Sequence, residues 1–182
     1  GMDRLGVPVK GKIGPDERAA EGRALARLSD LGWGQRLRPL LAQDAPVPPE
    51  VFTGVVQVLK EWGWRERPVA VIAIPSRARP HLVTSLAQGI AQIGRLRYLG
   101  ALDLVDGGPV GEPGGNSAFR LANVWERLAV GPALAEALAG IPGPVLLVDD
   151  LVSSRWTMTE AARAVRLAGA PEVMPLVLAI DG

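Results

Sequence analysis

The chain has no cysteine, so disulfides and a thiol nucleophile are both excluded, and redox chemistry does not fix a compartment. It has one histidine, His81, without partners at a metal-ligand spacing. A lone histidine beside a helix start reads as structural. Lysine occurs only at positions 10, 12 and 60; the remaining basic residues are arginine, a bias attributed first to codon composition. Aromatics make up 4% of the residues and no apolar run reaches membrane length, so no membrane partner is expected. No signal peptide is recognisable, and the expectation is a cytoplasmic protein. A net charge of +1 gives no general argument for nucleic acid. No Gly-x4-Gly-Lys-Ser/Thr phosphate loop is present either.

What is present points to one α/β domain. With 182 residues and 48% hydrophobic content, the chain is long enough for a substantial core. Gly1-Met2 reads as an expression-tag remnant, and residues 3–15 as a frayed or linking segment. A helix is expected over residues 16–28 and a short one over 35–41. Ala45-Pro46-Val47-Pro48-Pro49 marks a boundary, which divides the chain into a helical junction segment, 1–44, and a domain, 45–182. Within the domain, residues 50–62 have helical apolar spacing, 69–74 read as a buried strand, and 81–93 as a helix stopped near Gly94. Short strands are expected over 96–99 and 101–105. Residues 106–115 hold five glycines and two prolines, the composition of a mobile lid.

The most informative stretch is 144–159. Val145-Leu146-Leu147-Val148 reads as a strand buried on both faces, followed at its end by Asp149 and Asp150. A loop rich in hydroxyls comes next, with Ser153, Ser154 and Thr157 around Arg155 and Trp156. A helix is expected over 157–168, stopped at Gly169, and then a strand over 173–180. The unpaired N–H groups of a helix start suit a phosphate, and the hydroxyls add donors. Adjacent carboxylates suit a sugar diol or a hydrated Mg²⁺, which binds through few protein ligands. Phosphate, diol and magnesium together describe a phosphorylated ribose. A Walker B strand would also end in two acids, but its phosphate loop is missing. A receiver-domain acid pair would fall earlier in the fold. The plainer alternative is that the acids only cap the next helix.

Val148-Asp149-Asp150-Leu151-Val152-Ser153-Ser154-Arg155-Trp156-Thr157 resembles the phosphoribosyl pyrophosphate (PRPP) motif of type I phosphoribosyltransferases. The resemblance implies a Rossmann-like, mostly parallel sheet flanked by helices. It implies that Asp149 and Asp150 face the ribose hydroxyls, with Mg²⁺ held through them, and that Ser153, Ser154, Arg155, Trp156 and Thr157 wrap the 5′-phosphate. Arg155 stands where the family has glycine; a left-handed backbone there would cost about 1–2 kcal/mol. Arg77 and Arg79, at the end of the early strand, resemble by position the element that holds the pyrophosphate. The lid resembles the family's hood. Residues 116–124 resemble the segment that follows the hood in the ComF-like branch.

Two stretches narrow the resemblance further. The motif with its arginine, and Leu28-Ser29-Asp30-Leu31-Gly32-Trp33-Gly34-Gln35-Arg36-Leu37, look like the ComF-like domain fused to bacterial RecQ-type DNA helicases. The implied function is binding of PRPP or a nucleoside 5′-phosphate, in a fragment of a helicase-linked protein. A transferase would displace pyrophosphate from ribose C1, but no general base is evident. The alternative is a non-catalytic module that senses a nucleotide or carries a helicase to DNA or a partner. A homodimer is left open.

Overall fold

The computed structural model describes residues 21–105, 128–152 and 155–181, with the side chain of Arg155 excepted. The expected lid at 106–115, the segment 116–124, and Ser153 and Ser154 lie outside the described residues.

The described chain is an α/β sandwich. Its elements, in order, are β1 (Arg23–Arg27), α1 (Trp33–Leu41), α2 (Pro49–Lys60), β2 (Ala70–Ala73), α3 (Pro80–Gly94), β3 (Arg97–Ala101), β4 (Asp103–Leu104), β5 (Leu128–Ala129), α4 (Pro132–Leu138), β6 (Val145–Val152), α5 (Arg155–Leu167) and β7 (Val173–Ile180). Five strands form one parallel sheet in the order β1-β7-β6-β2-β3, and β4 and β5 form a small antiparallel pair. No described helix is long and apolar enough to cross a membrane.

The two faces of the sheet are covered by different helices. Leu82, Val83, Leu86 and Ile90 of α3 pack with Val51, Val55 and Val58 of α2 over Val71, Leu146 and Val148. Met158, Ala161, Ala162 and Val165 of α5 pack with Leu134 and Leu138 of α4 over Ile72, Val145 and Leu147. Burial on both faces is why β2 and β6 are nearly continuous apolar runs. From β2 the chain crosses through α3 outward to β3; from β6 it crosses through α5 in the other direction, to β7. Strands β2 and β6 are neighbours, so the connections diverge between them. The crevice at their carboxyl ends is the sheet's topological switch point, where ligands of open α/β sheets bind.

Two expectations need correction. The helix expected over 16–28 is, in its described part, a strand: residues 23–27 pair parallel with β7, Ala24 opposite Val177 and Ala26 opposite Ala179. Alanine and arginine favour helix intrinsically, but a sheet edge with room for small side chains outweighs that preference. Ala24, Leu25 and Ala26 are all buried there. Second, β6 does not end before the acids. It runs through them to Val152, still paired with β7 at Asp149, Leu151 and Val152. Its neighbour β2 has already ended, its last ties being Ala73 opposite Val148 and the Ile74 N–H to the Val148 carbonyl at 2.8 Å.

Both long crossover helices end in the same hydrogen-bonded turn. In α5 the Ala170 N–H reaches the Val165 carbonyl at 3.3 Å, with Gly169 at φ 133°. In α3 the Leu96 N–H reaches the Ala91 carbonyl at 2.8 Å, and Arg95, not Gly94, takes the left-handed φ of 56°.

Candidate functional site

The switch-point crevice is built from the end of β6 and the turn between β2 and α3. Asp149 and Asp150 are carried by β6 as strand residues, and both are buried, Asp149 8% and Asp150 3% exposed. The Asp150 N–H donates to Asp149 Oδ1 at 2.8 Å, and the Leu151 N–H to Asp150 Oδ1 at 2.7 Å. These local bonds accompany a slip in the strand's alternation. Leu146 and Val148 face the α3 layer, and so does Leu151, three residues on from Val148.

Opposite the acids, Ser76 Oγ accepts the Arg79 N–H at 3.0 Å, closing the turn that begins α3. The Arg79 guanidinium reaches across the crevice. Its Nε donates to Asp150 Oδ2 at 2.5 Å, and its NH1 to the Leu41 carbonyl at the end of α1 at 3.1 Å. One arginine thus ties three segments together, from residues 41, 79 and 150. Arg77 is exposed and lies outside this contact.

The electrostatics differ between the acids. Burial pushes the Asp149 carboxyl well above the usual carboxylate range; the charge of Asp150 adds to this, and Arg79 opposes it. For Asp150, the paired guanidinium supplies the counter-charge that burial requires.

The N-terminus of α3 reads differently from the anion site that its arginines imply. Asp44 Oδ1 accepts the Leu82 N–H at 2.9 Å, and Oδ2 lies 2.8 Å from His81 Nδ1. The helix end therefore already holds a carboxylate of this chain. Partial burial raises the Asp44 carboxyl, but the Leu82 N–H and the hydrogen bonds and charge of His81 outweigh it. The net pKa is below the ordinary value. The structural reading of His81 agrees with this pairing.

At the other edge of the site, Arg155 opens α5 with helical backbone, so the left-handed conformation is not adopted there. Trp156 and Thr157 are half-buried in the first turn of α5. Met158, Thr159 and Glu160 behind them are buried. Glu160 Oε2 lies 3.6 Å from Arg163 NH1, one turn on. Sequence reasoning missed Asp44 and Glu160. For Glu160 the spacing Thr157-x-x-Glu160 matches a capping box as letters, but α5 starts two residues earlier, so Thr157 is not its cap. For Asp44, 37 and 38 residues from its partners, there was none.

Among the described residues no group of three or more histidines, cysteines or carboxylates could hold a metal ion. The crevice offers two acids, with Asp150 engaged on both oxygens. Such a set fits a Mg²⁺ that arrives largely coordinated by phosphate and water, and does not fit a protein-held metal.

No family profile matches the chain, and no curated protein does. Among solved structures it is similar to the adenine phosphoribosyltransferase of Leishmania tarentolae, with 14% sequence identity and a TM-score of 0.49, over 94% of each chain. An identity this low says nothing about activity.

Proposed function

We propose that the chain is a phosphoribosyltransferase-like domain that binds PRPP or a nucleoside 5′-phosphate in the switch-point crevice. One observation carries this reading: Asp150 of the β6 acid pair and Arg79, at the start of α3 after the β2 turn, meet at the carboxyl ends of the two central strands. In this reading Asp149 and Asp150 orient the ribose hydroxyls. Ser153, Ser154, Arg155, Trp156 and Thr157 receive the 5′-phosphate at the start of α5, and Arg79, with Arg77 at the rim, receives the pyrophosphate. A Mg²⁺ held by the substrate's phosphates, with Asp149 and Asp150 nearby, would supply offsetting charge for the pyrophosphate; the C1–O bond breaks, a nitrogen nucleophile bonds to C1 and its proton leaves to solvent. Residues 45–182 carry the site, and the junction segment 1–44 contributes β1 and the Leu41 and Asp44 contacts. The resemblance of residues 28–37 and 148–157 to the ComF-like branch supports a helicase-linked, cytoplasmic protein, with DNA reached indirectly through the fused partner.

A second reading, a non-catalytic nucleotide sensor, is favoured by the closed state of the crevice. Asp150 has both oxygens engaged and the start of α3 is occupied by Asp44. Pyrophosphate release from PRPP, measured with a panel of candidate bases, separates the two. Turnover with any base supports the transferase; PRPP or monophosphate binding without turnover supports the sensor. Neither binding nor turnover overturns both.

A further inference from the structure

The Arg79–Asp150 contact sits inside the proposed ligand crevice, and it satisfies there the groups that a ligand would need. Asp150 Oδ2 is taken by Arg79 Nε at 2.5 Å and Oδ1 by the Leu151 N–H at 2.7 Å. Those two bonds use about half of a carboxylate's acceptor capacity, and burial of the side chain leaves the rest to be reached by a sugar diol only past Arg79. The Asp150 side chain is 4% exposed and that of Arg79 20%, so the guanidinium is the more accessible partner. It is also held from behind, through the Leu41 carbonyl at 3.1 Å.

Resting on the reading above, we propose that Arg79 determines specificity in this crevice by latching Asp150. The latch holds Asp150 away from a ribose diol until a second anionic group claims the guanidinium. An arginine fork binds phosphate oxygens bidentately, which a single Nε bond to a carboxylate does not match. When a pyrophosphate-like group takes Arg79, Asp150 Oδ2 is released to accept from the diol. The crevice thus selects ligands that carry a diol and a second anion over those with a sugar phosphate alone. Each half of such a ligand tightens the other, and the coupling is reciprocal.

The test is calorimetry on the full chain with ribose 5-phosphate and inorganic pyrophosphate, each alone and each in the presence of the other. In the wild type, pyrophosphate should tighten ribose 5-phosphate roughly 5–150-fold, the ordinary range of coupling between two sites. In Arg79→Lys, which keeps a counter-charge for Asp150 and removes the fork, the tightening by pyrophosphate should fall toward onefold. Ribose 5-phosphate binding to wild type that pyrophosphate leaves unchanged or weakens overturns the latch and leaves the ribose-phosphate reading standing. No binding of either compound to wild type overturns both. Should Arg79→Lys fail to fold, the wild-type pair of titrations decides alone.

Discussion

Asp44 caps helix α3 from outside it: its Oδ1 accepts the Leu82 N–H at 2.9 Å, and its Oδ2 meets His81 Nδ1 at 2.8 Å. The chain ahead of the proline-rich boundary thereby fixes the helix end that borders the crevice. Leu41, three residues earlier, does the same for Arg79.

Asp44→Ala should therefore lower the unfolding midpoint by a few degrees and raise the mobility of the α3 start. The pH dependence has a definite sign. The folded-state pKa lies below the ordinary carboxylate value, so the contribution is complete above about pH 4 and is lost as pH falls through the folded pKa. Thermal melts of wild type and variant between pH 7 and pH 3 should converge at the acid end. A constant gap across that range would show that the carboxylate's charge is not what matters.

The two acids should respond oppositely to amide substitution. Burial and the charge of Asp150 raise the Asp149 pKa, so the fold disfavours its ionised form. Stability is then greatest where Asp149 is protonated and falls as pH rises through the folded pKa. Asp149→Asn should raise the midpoint at pH 8, and the advantage should vanish in acid. Asp150→Asn leaves Arg79 facing a neutral amide. It should cost toward the lower end of about 3–5 kcal/mol, because Arg79 keeps part of its exposure. Denaturant melts at pH 8 read both. Equal losses would mean that Asp149 is an ordinary structural carboxylate.

The shared turn at the ends of α3 and α5 supports a paired prediction. Arg95 holds φ 56° where Gly169 holds φ 133°. Arg95→Gly should relieve about 1–2 kcal/mol of left-handed strain, less the added freedom of the unfolded chain, for a net gain of about 0.5–1 kcal/mol. Gly169→Ala should cost about 1–3 kcal/mol, since a side chain there is strained and its Cβ would lie 2.7 Å from the Leu138 carbonyl oxygen. Chemical denaturation of both variants checks the opposite signs.

These predictions also mark what the sequence could and could not carry. Strand β7 was legible at both ends, and α2, α3 and α5 were legible within two residues. In each, apolar spacing, a proline near the start or a turn residue at the end agrees with the packing. Strand β1 was not, because Arg-Ala-Leu-Ala-Arg is helix-favouring in isolation and becomes a strand only through the free edge of β7. The acids were found, but their burial was not. Carboxylates interrupt an apolar run, so the strand reads as ending four residues early, and only the continued pairing with β7 keeps it going. Arg79 and Arg77 were indistinguishable as letters. Which of them turns inward depends on where Asp150 and Leu41 lie, contacts that span 71 and 38 residues.

The most direct test of the central claim is a calorimetric titration of PRPP, with and without Mg²⁺, into wild type and into Asp149→Asn, against a panel of nucleoside 5′-monophosphates. The account predicts saturable binding of PRPP that Mg²⁺ strengthens, and its loss in the folded Asp149→Asn variant. Absence of binding by PRPP and by every monophosphate to a folded wild-type protein would contradict it, as would affinity that Asp149→Asn leaves unchanged.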